Sequence, residues 1–384
     1  MQGKDKQHSM LFEDKTACFF TKDYQLTAQN LAETISLPAI DIDRLNHQVM
    51  TCFSQLQKEE GTTPILIGAI PFDTSKPSSL NIYREYTQQE TNIKQPLKQP
   101  LKQPLEIKNK KQLVEYAYFD QAIQHALEQF SQEKLSKIVL SQAADFELLN
   151  QHTADDLAFH LAAQNPTAYS FVVPVDQGRY LLGASPELLM AKHQDTVCSN
   201  PLAGSRPRST DLKTNITHEN ELKTSKKDLH EHQIVVDCIL KNLQPLCTSL
   251  QYSKTPEILT TPTMLHLSSK FKGQVKDTRS NALSLALALH PTPAICGAPT
   301  KLAKDFILKH EGYDREYYAG LVGWMDAQGN GEWVVTIRCG LLDGTNIRLY
   351  AGAGIVEGSE AMLEWNETEA KMQTMLKALC NRTV

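Results

Sequence analysis

Tyr169-Ser170-Phe171-Val172-Val173-Pro174-Val175-Asp176-Gln177-Gly178-Arg179-Tyr180-Leu181-Leu182-Gly183 reads as two short strands, Tyr169 to Pro174 and Tyr180 to Gly183, joined by a turn at Asp176-Gln177-Gly178. Outward from this hairpin, Thr153 through Ala163 has the pattern of a helix capped by Thr153, with Asp156 three residues on. Before it, Leu113 to Phe130 has helical spacing, and Lys137 to Leu140 reads as a short buried strand. Beyond the hairpin, a helix is expected from about Asn220 to Leu243. Strands follow at 320–325, 332–341 and 346–351, with turns at Asp326-Ala327-Gln328-Gly329-Asn330-Gly331 and Asp343-Gly344, and a last helix covers about 361–380. Helices mixed with hairpin-connected strands point to an α+β fold rather than a doubly wound parallel sheet.

Residues 1–85 read as irregular apart from one buried strand, Pro64-Ile65-Leu66-Ile67-Gly68-Ala69-Ile70. Lys-Gln-Pro-Leu then occurs three times, from Lys94, Lys98 and Lys102. A proline every fourth residue forbids a regular helix, so 94–105 reads as an extended surface insert. The chain divides into an N-terminal part, 1–111, that carries this insert, and a main region, 112–384.

Composition excludes several function classes. The 384 residues are 41% hydrophobic and 22% charged, as in an ordinary globular protein, and the net charge of −5 argues against a general polyanion binder such as a nucleic-acid protein. Any anionic substrate must be attracted by a local pocket. The eight cysteines, Cys18, Cys52, Cys198, Cys238, Cys247, Cys296, Cys339 and Cys380, contain no Cys-x-x-Cys pair, which suits neither a zinc site nor a disulfide framework. The start lacks an apolar signal core, and the most apolar stretch, Leu283 to Leu289, is too short to span a bilayer. A reduced cytoplasm without a membrane partner is the expected setting.

Function should be sought where charges stand inside apolar, tightly punctuated segments, because burying them without partners is costly. Lys137 opens Lys137-Ile138-Val139-Leu140-Ser141. Glu187 closes Gly183-Ala184-Ser185-Pro186-Glu187, and Arg338 ends Trp333-Val334-Val335-Thr336-Ile337. Glu231 shares a helix face with Ile234, Val235 and Cys238, so it is either half of a buried ion pair or a metal ligand. His230 and His232 project to different sides and read better as solvated or satisfied histidines. Glu364, Glu367 and Lys371 form one polar stripe on the last helix, which composition alone would treat as a solvated face.

The order and wording of these segments resemble the chorismate-utilising enzymes, most closely the isochorismate synthases of catechol-siderophore pathways, over roughly residues 115–380. The resemblance also includes Asn200-Pro201-Leu202-Ala203-Gly204-Ser205-Arg206-Pro207-Arg208, His290-Pro291-Thr292-Pro293-Ala294, Tyr350-Ala351-Gly352-Ala353-Gly354-Ile355-Val356 and Glu364-Trp365-Asn366-Glu367-Thr368. It implies a single large domain of two packed antiparallel sheets flanked by helices, with the active site between them. It further implies Mg²⁺ held by Glu231 and Glu367, with Glu364 as an additional or water-mediated ligand, a donor set that suits magnesium's preference for oxygen. Lys137 would be the general base and Glu187 the general acid. Arg338 would clamp a carboxylate of chorismate bidentately, the backbone at Gly352 would approach the other, and Lys371 would stand beside the carboxylates. Ala294, Ile295, Tyr318 and His266 would line the substrate pocket.

Alanine at Ala203 disfavours the aminodeoxychorismate synthases, which carry a nucleophilic lysine there, and lysine at Lys137 suits members that add water. Ala294, where salicylate and anthranilate synthases usually place threonine, suits an isochorismate synthase. The resemblance thus implies a monomer acting on chorismate ahead of a downstream isochorismatase. A salicylate synthase and a non-catalytic chorismate-binding paralogue stay open as alternatives. Two departures, Gln142 in place of a common arginine and the Lys-Gln-Pro-Leu insert, bear on specificity and regulation.

Overall fold

The computed structural model describes residues 16–91 and 105–380, so the Lys-Gln-Pro-Leu repeats up to Pro104 lie outside the described residues. Strands Tyr169–Pro174 and Tyr180–Ser185 pair antiparallel across a short 3₁₀ turn at Asp176–Gly178. On one side the hydrogen-bonded path continues through Cys339–Asp343, Asn346–Ile355 and Lys137–Leu148. On the other, Ala17–Phe20 joins the hairpin to Tyr24–Ile35, and the path runs on through Ser79–Glu90, Ile65–Ile70, Leu321–Asp326, Gly331–Val335 and Leu188–His193. These belong to a 17-stranded antiparallel network, and Leu202–Pro207, Met264–Ser268 and Glu257–Thr260 form a separate three-stranded sheet. With eight α-helices among the described residues, this is a single α+β domain built on large antiparallel sheets.

Strand periodicity builds the layers. Phe171, Val173 and Leu181 point into the larger core with Ile67 and Trp333. Their neighbours Val172 and Leu182 point the other way, into a second core closed by Leu157 and Leu161 of helix Ala154–Gln164 and Met372 and Leu376 of helix Ala361–Cys380. Because both faces are covered, these strands read as continuous apolar runs. Burial of each such side chain contributes about 1.5–3 kcal/mol, against a few tenths for an i,i+4 pair such as Glu367–Lys371, so apolar packing places the terminal helix.

Three expectations need correction. The N-terminal part is ordered, with helix Ile42–Leu56 and strands Ala17–Phe20, Tyr24–Ile35 and Ser79–Glu90 beside the expected Ile65–Ile70. The two long strands are rich in polar residues, exposed mainly in the second half of Ser79–Glu90, and the first is interrupted by Asn30 in a left-handed conformation, which hid their periodicity. The helix expected over 220–243 is two helices, Leu212–Thr224 and Lys226–Leu243. Ser225 closes the first and caps the second by accepting from the Asp228 N–H, a Ser-x-x-Asp signal visible in the sequence. The strand expected over 332–341 breaks at 336–338, so Arg338 lies between two strands instead of ending one.

On strand Gly331–Val335, away from the cavity described below, burial pushes the Glu332 carboxyl up to about 7, a hydrogen bond with Tyr24 opposing the effect and Asp23 adding to it. A carboxyl raised in the folded state contributes stability that is complete below its ordinary value of 4.5 and is lost as pH climbs through about 7. Glu332→Gln should therefore leave the melting temperature nearly unchanged at pH 4.5. By pH 8 it should raise stability by at most about 3 kcal/mol, or roughly 5 °C. Melting curves of both proteins at the two pH values check this.

Candidate active site

The residues singled out from the sequence converge. All of them except Lys137 line one cavity of about 200 Å³. Its walls come from strands Lys137–Leu148 and Asn346–Ile355, the three-stranded sheet, helices Lys226–Leu243 and Ala361–Cys380, and the connecting segments that carry Glu187, Ala294, Tyr318 and Arg338. Lys137 lies just behind the wall, 1% exposed, with its Nζ 2.7 Å from Oε1 of Glu231. Gly354 makes room for this pair, since a Cβ there would stand 3.1 Å from Glu231 Oε1 and 3.5 Å from Lys137 Cε. Both readings of Glu231 thus meet in one geometry: it is half of a buried ion pair, and it faces the cavity.

Glu187 enters from the turn after Tyr180–Ser185 and is 2% exposed. Burial pushes its carboxyl up to about 7, against weaker opposition from the Leu202 N–H and Lys137. At neutral pH it can therefore carry a proton, which a solvated glutamate would have lost.

The cationic side is Arg338. Its backbone is left-handed (φ 51°), a conformation that costs a non-glycine residue energy and turns its side chain into the cavity. Among the described residues its guanidinium has no carboxylate partner within ion-pair distance. Burial lowers its pKa, partly offset by Tyr318 and Glu367, so an anionic ligand would relieve a standing cost. Lys371 binds Glu367 Oε1 at 2.6 Å and donates to the Gly352 carbonyl at 2.8 Å. It is thus the carbonyl of Gly352 that is engaged here, and a Cβ at Gly352 would lie only 2.7 Å from the Tyr318 hydroxyl.

The apolar side is built from Ala294, Ile295 and Tyr318, with Tyr318 stacked parallel to Tyr350 at 5.1 Å. His266 sits where Arg338 and Lys371 approach. Burial first, then these two cations, push it down to about 3, so its ring is neutral, and its Nε2 has no protein partner.

Comparison with known proteins follows the same lines. A chorismate-binding enzyme family model matches residues 47–380. The chain belongs to the chorismate-binding enzymes. It is 38% identical to isochorismate synthase DhbC of Bacillus subtilis, over 97% of this chain and 96% of that one. It is 37% identical to isochorismate synthase EntC of Escherichia coli K12, over 97% of both. A solved structure assigned to DhbC of Bacillus anthracis, described as 2,3-dihydroxybenzoate-specific, superposes with a TM-score of 0.88 at 35% identity, covering 96% of this chain and 97% of that one.

Within this cavity the carboxylates suit a hard cation. Burial raises the Glu364 pKa, and its neighbour Glu367 adds to this. Burial acts the same way on Glu367, but Lys371, Lys227 and Arg206 outweigh it and hold that carboxyl below its ordinary value. No three His, Cys, Asp or Glu side chains among the described residues close on one point. An octahedral ion that keeps most of its waters, and takes one or two protein carboxylates plus a ligand oxygen, needs no such cage. Glu231 and Glu367 fit that use. His232 does not: it is buried, its Nε2 meets Ser269 Oγ at 2.8 Å, and His230 is exposed.

Several cavity residues escaped the sequence reading. Asp228 is buried and pairs with Arg206 at 2.8 Å, and Ile337 and Tyr350 complete the wall. Arg206 stands inside a quoted segment, but nothing in the sequence tied it to Asp228. Gln142, one of the two departures, is fully buried, donates to Thr368, and accepts from Gln112, which also donates to Glu369. It fastens the strand that starts with Lys137 to the helix that carries Glu364, Glu367 and Lys371.

Proposed function

We propose that this chorismate-binding enzyme is an isochorismate synthase of the siderophore type, supplying isochorismate for 2,3-dihydroxybenzoate in the cytoplasm. The observation that carries the reading is the convergence, in one cavity, of a buried proton-bearing Glu187, an unpaired Arg338 and carboxylates suited to a hard cation, with Lys137 close behind. Arg338 and Lys371 bind the carboxylates of chorismate, and Tyr318, Ala294 and Ile295 hold its ring. Lys137, in its neutral amine form, takes a proton from water as the water oxygen bonds to ring C2. Both ring double bonds shift, the C4–O bond breaks, and Glu187 delivers its proton to the departing hydroxyl, so one water enters and one leaves. Mg²⁺ held by Glu231 and Glu367, with Glu364 close by, would supply fixed positive charge beside a substrate carboxylate.

Ala294 presents only a methyl group where a hydroxyl could serve a further elimination. Purified enzyme with chorismate and Mg²⁺ should give a mixture of chorismate and isochorismate, with no ammonia requirement and little salicylate or pyruvate, followed by chromatography. Pyruvate released in step with chorismate loss would make the protein a salicylate synthase. Unchanged chorismate would make it a non-catalytic binder.

A further inference from the structure

Arg315 lies outside the cavity, is 3% exposed, and holds three of its walls together. Its Nε and Nη2 donate to the two carboxylate oxygens of Glu311, each at 2.6 Å. Nη2 also donates to the Val139 carbonyl at 2.7 Å, and Nη1 to the Ile295 carbonyl at 3.0 Å. The guanidinium sits 4.5 Å from the Phe72 ring centre and 5.7 Å from that of Tyr318. Glu311 accepts in turn from the Ser141 N–H (2.8 Å) and hydroxyl (2.7 Å).

Val139, Ile295 and Tyr318 all line the cavity and come from three separate segments. Val139 lies two residues after Lys137 on the same strand, and Ile295 follows Ala294. The Val139 N–H also donates to the Cys296 carbonyl at 2.8 Å and Gly297 pairs with Ile138, so the planar cation adds a side-chain clamp to the backbone pairing between the strand bearing Lys137 and the wall that faces the substrate ring. Stability alone is a poor account of it, because a buried ion pair is often no better than packed apolar side chains of the same volume. Binding two backbone carbonyls and a carboxylate at once is something only the guanidinium fork can do.

We propose that Arg315, locked by Glu311, is a positioning residue that sets the spacing between Lys137 and the ring-facing wall at Ala294, Ile295 and Tyr318. The proposal rests on the functional reading above and adds to it the part that aligns water-activating group and ring. The groups assigned to the substrate carboxylates, Arg338 and Lys371, are not held by Arg315. Its loss should therefore appear in kcat and leave KM nearly alone.

Arg315→Lys tests this, since an ammonium keeps the charge beside Glu311 but cannot span both carbonyls. We expect kcat for chorismate consumption to fall roughly 30-fold or more, since small misplacements of reacting groups cost up to about a hundredfold, with KM within about threefold of wild type. Val49→Ala, a remote core truncation in helix Ile42–Leu56, serves as a destabilised control and should keep normal kcat per folded molecule. Three results would overturn the proposal: a kcat within about threefold of wild type, a loss carried by KM, or an equal kcat loss in the control. Should Arg315→Lys fail to fold, Ser141→Ala removes one bond to Glu311 and should lower kcat several-fold with unchanged KM. An unaltered kcat there overturns the proposal as well. Failure of the functional reading would show separately, in the product made by the wild type.

Discussion

Glu187→Gln should lower single-turnover conversion of chorismate by about two to four orders of magnitude while the protein stays folded. Glutamine still accepts from the Leu202 N–H, which lies 3.4 Å from Glu187 Oε1, but it has no proton to give. Because the wild-type carboxyl is raised to about 7, kcat/KM should fall as pH rises past that value, and the variant should lose this limb. Its melting temperature at pH 8 should equal or exceed wild type, since the substitution removes a carboxyl that is costly to ionise in a buried place. Lys137→Ala should lose turnover on the same scale, and it should also melt earlier, because Glu231 then faces the cavity without a cation. Lys137→Arg separates the two roles: arginine can keep the pair with Glu231 but cannot act as a base. If Lys137→Arg turns over within a few-fold of wild type, Lys137 is only half of an ion pair.

Chelation should have an effect of similar size. Excess EDTA is expected to abolish turnover and added Mg²⁺ to restore it. Glu231→Ala and Glu367→Ala should each lose on the order of a hundredfold or more without rescue at ordinary Mg²⁺. Both carboxylates carry a lysine here, Lys137 at 2.7 Å and Lys371 at 2.6 Å, so a cation entering the site has to compete with two ammonium groups. Calorimetric titration with Mg²⁺ reads the binding apart from catalysis, and both variants should weaken it strongly. Full activity in excess EDTA would remove the metal from this account.

Much of the fold was legible because local rules and tertiary packing agree. The hairpin Tyr169–Ser185 and the terminal helix Ala361–Cys380 form where the sequence placed them, and helix Ala154–Gln164 starts at the Thr153 cap as expected. Reading failed where one signal masked another. Apolar spacing ran through Ser225 and hid a cap. Polar, half-exposed strands such as Ser79–Glu90 carried too little alternation to be recognised.

The sequence by itself determined which residue types were candidates. A lysine, carboxylates and an arginine in apolar, glycine-punctuated segments are expensive to bury without a use, and their order along the chain resembles one enzyme family. Only the tertiary structure decided what each one faces. Glu231 and Lys137 are 94 positions apart in the numbering yet share a 2.7 Å contact, because the fold brings the Glu231 side chain of helix Lys226–Leu243 to the start of strand Lys137–Leu148. Arg338 without a carboxylate partner among the described residues, the raised pKa of Glu187 and the Arg315 clamp have the same origin. Each depends on burial and on partners brought together from distant segments, and a charge's cost or protonation state is a property of its surroundings, which a linear pattern does not contain.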